Sequence, residues 1–301
     1  MSDSPMLSVK GLRVEFPSRH ARRRGGDAGP FVAVDDLSLE LREGQTLGVV
    51  GESGAGKSTL GNCVVRLQQP TRGTIRFMDR DITHIRGAAL RAARRNLQMV
   101  FQDPYSSLDP YMRVSEIIAE PLRAYGLGNA RERRDTVHEL LEAVGLDRRY
   151  AERYPRGFSG GQRQRIAIAR ALAIRPKLVV CDEIVSGLDV SVRGQIINLL
   201  KDLQDQYGTA YLFISHDLLA IRAMSDQVAV MNKGKLVEYA ASDQIFTRPQ
   251  HRHTRDLLAA LPKAAPKLTT KHQNDSGDDA PVTLGADPHG HNEGAYDERQ
   301  T

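Results

Sequence analysis

Apolar residues fall into two rhythms along the chain, and their succession predicts an architecture. LSVKGLRVEF (residues 7–16) and FVAVDDLSLEL (31–41) alternate apolar and polar positions, so residues up to about 45 predict a small antiparallel sheet. QTLGVV (45–50) is a continuous apolar run that opens into glycines, and KSTLGNCVVRL (57–67) follows at helical spacing. GTIRF (73–77) and NLQMVFQ (96–102) resume strand character. From residue 103 to about 172 the apolar positions recur every three or four residues, in VSEIIAEPLRAYGL, ERRDTVHELLEAVGL and GQRQRIAIARAL, which predicts an inserted helical block. Short buried-type runs then return as KLVVCD, AYLFIS and QVAVMN, separated by the helical GQIINLLKDLQDQYG and DLLAIRAMS. Strands alternating with helices predict an α/β fold with a mainly parallel sheet.

Composition refines the boundaries. Residues 264–301 hold few large apolar side chains and are expected to be a disordered polar tail, leaving residues 1–263 as one domain. The tail carries three Lys/Arg and seven Asp/Glu, so the net charge of +5 conceals a body near +9. A basic body suits nucleic acid or an anionic membrane face. No aromatic-rich basic strand of the base-stacking kind accompanies it, and nucleic acid is not expected. No apolar run is long enough to span a bilayer, and the N-terminus lacks the basic-then-apolar order of a signal peptide. The only cysteines, Cys63 and Cys181, sit in apolar patterns and are expected to be reduced core residues of a cytosolic protein.

The chemistry concentrates in a few short stretches. GESGAGKST, comprising Gly51, Glu52, Ser53, Gly54, Ala55, Gly56, Lys57, Ser58 and Thr59, fits G-x-x-x-x-G-K-S/T and lies between a predicted strand and helix. Such a loop wraps phosphate oxygens with backbone N–H groups, while Lys57 reaches the β/γ-phosphates and Ser58 can hold Mg²⁺. KLVVCDE puts Asp182 and Glu183 at a strand's carboxyl end, where parallel sheets bind ligands. There Asp182 is placed for Mg²⁺ and Glu183 to polarise a water. Gln102 and His216 also follow strands; the amide could reach metal or water and the imidazole a γ-phosphate. SGGQ (Ser159, Gly160, Gly161, Gln162) opens a helix-patterned run and has the look of half a second phosphate site.

In this order, the phosphate loop, Gln102, SGGQ, the Asp182–Glu183 pair, SGLD (ending at Asp189) and His216 resemble the ATPase subunit of ABC transporters over roughly residues 5–262. The resemblance implies a P-loop NTPase core with an N-terminal antiparallel β subdomain and an inserted α-helical subdomain at about 103–172. It also implies ATP and Mg²⁺ as cofactors, with Ser58, Gln102 and Asp182 around the metal and Glu183, Gln102 and His216 catalytic. ABC ATPases dimerise head to tail, so Ser159 to Gln162 are expected to close the nucleotide site of a second ATPase subunit, with Asp189 nearby. The family stacks adenine on an aromatic of the first sheet; Phe16 matches best, Phe31 is the runner-up, and core packing is the alternative for either.

GVVGESGAGKST, MVFQDPYSSLDPYM, IIAEPL and the ending RPQHRHTRDLLAALP are similar to oligopeptide/dipeptide importers, a group that includes nickel importers. Departures are Ile184 for Pro, Phe158 for Leu, Gly187 for Ala and HRHT for HPYT. Membrane permease subunits are then the expected partners, docking on the segment that holds Tyr105, Tyr111 and Met112 (buried packing is the alternative for these three), with a substrate-binding protein involved indirectly. The expected location is the cytoplasmic face of the inner membrane. A soluble ABC ATPase acting on nucleic acid or ribosomes is the competing class.

Overall fold

A computed structural model describes residues 4–17 and 29–260; the expected polar tail and most of the basic loop at 21–30 lie outside the described residues. Strands β1 (Leu7–Phe16), β2 (Phe31–Leu41), β4 (Arg72–Phe77) and β5 (Arg80–Asp81) form an antiparallel sheet in the order β2-β1-β4-β5. Two later strands thus join the predicted pair. The alternation in β1 changes phase partway: Leu7 and Val9 are buried, then Leu12 and Val14. The slip falls at Gly11, whose φ of +58° a side chain would resist, and the pairing register to both neighbours shifts there. A Cβ on Gly73 would come within 2.4 Å of the Gly11 carbonyl oxygen, so the bulge also needs a bare residue opposite.

The second sheet runs β10-β9-β3-β8-β7-β6, from β3 (Thr46–Val50), β6 (Leu97–Val100), β7 (Leu178–Asp182), β8 (Ala210–Ile214), β9 (Gln227–Asn232) and β10 (Lys235–Ala241). All neighbours are parallel except β9 and β10. β3, β7 and β8 are buried at every position, as expected of strands covered on both faces. Their side chains divide between two cores. Leu47, Val49, Val180, Leu212 and Ile214 face the antiparallel sheet and helix α1 (Lys57–Val64). Cys181, Tyr211 and Phe213 face the helical side. Cys63 and Cys181 are both buried and unbridged, one in each core, and burial pushes the Cys63 thiol up to about 12.

Between residues 103 and 172 every element is helical: α3 (Pro104–Ser107), α4 (Val114–Ala124), α5 (Ala130–Ala143), two 3₁₀ turns and α6 (Gly160–Leu172). An earlier helix, α2 (Gly87–Arg95), buries none of its residues. The chain continues through α7 (Val190–Tyr207), α8 (Leu218–Met224), α9 (Ser242–Thr247) and α10 (Arg252–Ala259). Among the described residues no helix is long and apolar enough to cross a membrane.

Candidate functional site

The sheet order makes β3, β8, β7 and β6 consecutive neighbours that all run the same way, so the residues just past their carboxyl ends gather on one rim. Those residues are the phosphate loop after β3, His216 after β8, Asp182–Glu183 ending β7, and Gln102, two residues beyond β6.

The phosphate loop is held by close backbone approaches. A Cβ on Gly51 would sit 2.3 Å from the Met231 carbonyl oxygen, and one on Gly56 2.3 Å from that of Ala33. Gly56 also carries a φ of +97° as it caps α1, so a side chain there would be strained on two counts. Gly234 donates to the Ala55 carbonyl at 3.1 Å and fastens the loop to the β9–β10 turn.

Lys57 opens α1 and is buried, its Nζ donating to the carbonyls of Gly51 at 2.8 Å and Glu52 at 3.0 Å. It also lies 3.8 Å from Glu183 Oε1. Burial pulls its affinity for a proton below the usual lysine value, and Glu183 and Asp182 partly restore it. One helical residue on, Ser58 Oγ donates to Asp182 Oδ1 at 3.0 Å. Burial raises the Asp182 carboxyl above the ordinary carboxylate range and the Glu183 charge adds to this, while Ser58 and Lys57 oppose it. A carboxylate and a hydroxyl side by side, both hard oxygen donors, suit Mg²⁺, which takes a few protein oxygens and completes its shell with phosphate and water.

Glu183 is the hub. Its Oε2 accepts from Gln102 Nε2 at 3.3 Å and lies 3.1 Å from His216 Nδ1, while Oε1 faces Lys57. Its φ is +50°, a left-handed value that costs a non-glycine residue of order 1 kcal/mol or more. Three bonds hold it there: its N–H donates to the Ile214 carbonyl at 2.9 Å, and its own carbonyl accepts from Ser186 N at 3.0 Å and Ser186 Oγ at 2.6 Å. This backbone setting had no signature in the sequence beyond Ser186 in SGLD.

The raised Asp182 carboxyl sets a sign for stability. The folded chain holds that proton more tightly than the unfolded chain, so the group's contribution is full at acid pH and is lost as pH rises through the folded value. At neutral pH the carboxylate therefore burdens the nucleotide-free fold. Asp182→Asn should raise the melting temperature at neutral pH by more than at acid pH, while Mg²⁺-dependent ATP turnover is lost. Thermal scans at both pH values check this, and a lower melting temperature at neutral pH contradicts it.

Ser159 and its neighbours stand apart from this hub. Ser159 caps the 13-residue α6: its Oγ accepts from Gln162 N at 3.3 Å and Gln162 Oε1 accepts from Ser159 N at 3.0 Å. Among the described residues no hydrogen bond or ion pair joins 159–162 to Lys57, Ser58, Asp182, Glu183 or His216. A Cβ on Gly161 would meet Val192 at 2.6 Å, whereas Gly160 has room. Asp189 precedes the first residue of α7 without a side-chain capping bond and is exposed, next to Val190, which is 82% exposed. Phe16 is half-buried against the first core and pairs in register with Phe31, which is 61% exposed. Tyr105 and Tyr111 are exposed, each under a guanidinium (Arg163 at 4.1 Å and Arg156 at 5.0 Å), and Met112 packs against the helical core.

A phosphate loop, a partly buried Ser–Asp pair and a strained glutamate on one sheet rim define a P-loop nucleotide site. The sequence profile of the ABC transporter family matches residues 34–186, and the chain belongs to that family. It is 45% identical over 271 residues to the oligopeptide transport ATP-binding protein AppF of Bacillus subtilis, covering 89% of this chain and 82% of that protein. With OppF of the same organism, also an oligopeptide transport ATP-binding protein, identity is 49% over 264 residues, covering 87% and 84%. The glutathione import ATP-binding protein GsiA of Salmonella typhimurium is 48% identical over 280 residues, but the chain covers only 45% of its length. Among solved structures, the dimeric bacterial ABC transporter cassette MJ0796 superposes with a TM-score of 0.69 at 28% identity, covering 79% of this chain and 99% of that one.

Proposed function

We propose that this chain is the ATP-hydrolysing subunit of an importer for short peptides. The observation that carries the hydrolytic reading is the meeting of Lys57, Gln102 and His216 on the single carboxylate of Glu183. The similarity to two oligopeptide transport ATP-binding proteins over most of their length supports the cargo class.

In this reading the backbone of residues 51–58 and Lys57 hold the triphosphate, with the adenine against Phe16 at the edge of the first sheet. Ser58, Asp182 and Gln102 would hold Mg²⁺, which when bound neutralises charge on the phosphates. Glu183 takes the proton of the attacking water. His216 has two ring nitrogens: Nδ1 meets Glu183, which leaves Nε2 for a γ-phosphate oxygen. Ser159 to Gln162, with Asp189, close the site of a second ATPase subunit. ATP binding draws two subunits together, hydrolysis releases them, and permease subunits receive the motion on the face that carries Tyr105, Tyr111 and Met112. The chain works at the cytoplasmic face of the inner membrane as a peripheral subunit, and the transporter receives cargo from a substrate-binding protein.

Affinity purification from detergent-solubilised membranes of the native host tests the assignment. Two membrane-spanning subunits and an ATPase partner should accompany the chain, and peptide should raise the ATPase rate of the reconstituted complex. Recovery with ribosomes or DNA and without membrane subunits would overturn it.

A further inference from the structure

One half-buried charge pair outside the groups already assigned lies where two loops of the site meet. Arg193, in the first turn of α7, forms an ion pair through Nη1 with Asp217, and its Nη2 donates to the Leu188 carbonyl at 3.2 Å. The two side chains are only 31% and 16% exposed, and the Arg193 Nε is buried with no partner. Asp217 also caps α8, its Oδ1 accepting from Leu219 N at 2.9 Å and Ala220 N at 3.2 Å, while its own N–H donates to Ser215 Oγ at 3.0 Å.

The neighbours give this pair its meaning. Asp217 directly follows His216, whose ring touches Glu183. Leu188 lies in SGLD, and Ser186 of the same turn fixes the Glu183 carbonyl. One guanidinium therefore clamps the His216 loop from one side and the SGLD turn from the other. Helix capping does not explain the charge, because an asparagine caps a helix as well as an aspartate. Nor is this a solvated surface pair, the kind that contributes little: both groups are largely withdrawn from water and one also binds main chain.

We infer that Arg193 and Asp217 are positioning residues that set the His216 imidazole against Glu183 and lock the His216 loop to the SGLD turn, so that the two loops move as one unit. Neither touches a reacting atom. The inference rests on the roles proposed above for Glu183 and His216.

Steady-state ATPase kinetics and melting temperatures of the full chain, in the assembly that hydrolyses ATP, test it with five variants: Asp217→Asn, Arg193→Ala, Arg193→Lys, the Asp217→Asn/Arg193→Ala double, and His216→Ala. Asp217→Asn can keep both cap bonds through its amide oxygen, but it loses the charge and turns the Oδ2 acceptor that faces Arg193 into an NH₂ donor. It and Arg193→Ala should each lower kcat by about tenfold, within the range that losing a charge-assisted hydrogen bond covers, with KM for ATP held within about twofold. The double variant should be no slower than the slower single, since both remove one contact. Arg193→Lys should recover part of the rate, because an ammonium still pairs with Asp217 but does not reproduce the second arm to Leu188. Wild-type kcat in both singles, a kcat loss that follows a fall in melting temperature, or losses that multiply in the double would each overturn the inference. His216→Ala separates this from the underlying reading: if it retains turnover, the role of His216 fails; if it loses turnover while Asp217→Asn does not, only the positioning role fails.

Discussion

Replacing Glu183 with glutamine should stop ATP turnover while leaving ATP bound. The amide has the shape of the carboxylate but takes no proton, and a positioned general base contributes about 10²–10⁴-fold, so the rate should fall by at least about a hundredfold. Binding should survive because Lys57 keeps its bonds to the Gly51 and Glu52 carbonyls and Ser58 keeps Asp182. The backbone should also hold, since the bonds that fix the φ of +50° at this position are made by main chain and Ser186, not by the carboxylate. Phosphate release measured beside retained nucleotide separates the two effects, and the ATP-loaded variant should accumulate as a dimer in sedimentation. Hydrolysis by Glu183→Gln at a rate near wild type would remove Glu183 from the base role.

Ser159→Ala has the second large effect, and its size discriminates between two uses of one hydroxyl. As an N-cap of α6 it accepts from Gln162 N, and losing a cap costs about 1 kcal/mol, a shift of roughly 2–4 °C in melting temperature for a domain of this size. As a donor to a phosphate it makes a charge-assisted bond of about 1.5–3 kcal/mol, or roughly ten- to a hundredfold in closing the site. A small thermal shift with a tenfold or larger loss of turnover is the expected result. A thermal shift with unchanged turnover would mean that Ser159 only caps its helix.

The groups that the structure gathers on the rim were legible because each is written locally. A strand, a glycine turn and a helix lie within a few residues of one another around Lys57, and Asp182–Glu183 ends a fully apolar run. Elements whose residues meet only in three dimensions were not legible. β10 buries none of its positions, as an edge strand can, so it shows no apolar rhythm; its hairpin is set instead by Lys233 and Gly234, both at positive φ. α2 likewise presents no buried stripe to read. β4 read as a strand, but nothing in GTIRF announced that it pairs with β1, far earlier in the chain. The Arg193–Asp217 pair spans 24 residues, and neither side chain belongs to a motif. Phe16 and Phe31 show the opposite case: both were visible as aromatics, and only pairing and exposure distinguish the half-buried ring from the open one.

The proposed function requires that one chain bind ATP on its own phosphate loop and close a second chain's site with its SGGQ loop. The most direct measurement is the ATP affinity of the isolated Ser159→Ala chain, compared with wild type under conditions where neither dimerises. Equal affinities are expected, because the chain's own phosphate loop is untouched and, among the described residues, Ser159 makes no hydrogen bond to it. A loss of affinity by the same ten- to a hundredfold expected for turnover would place the SGGQ loop in its own chain's site and rule out its use by a partner.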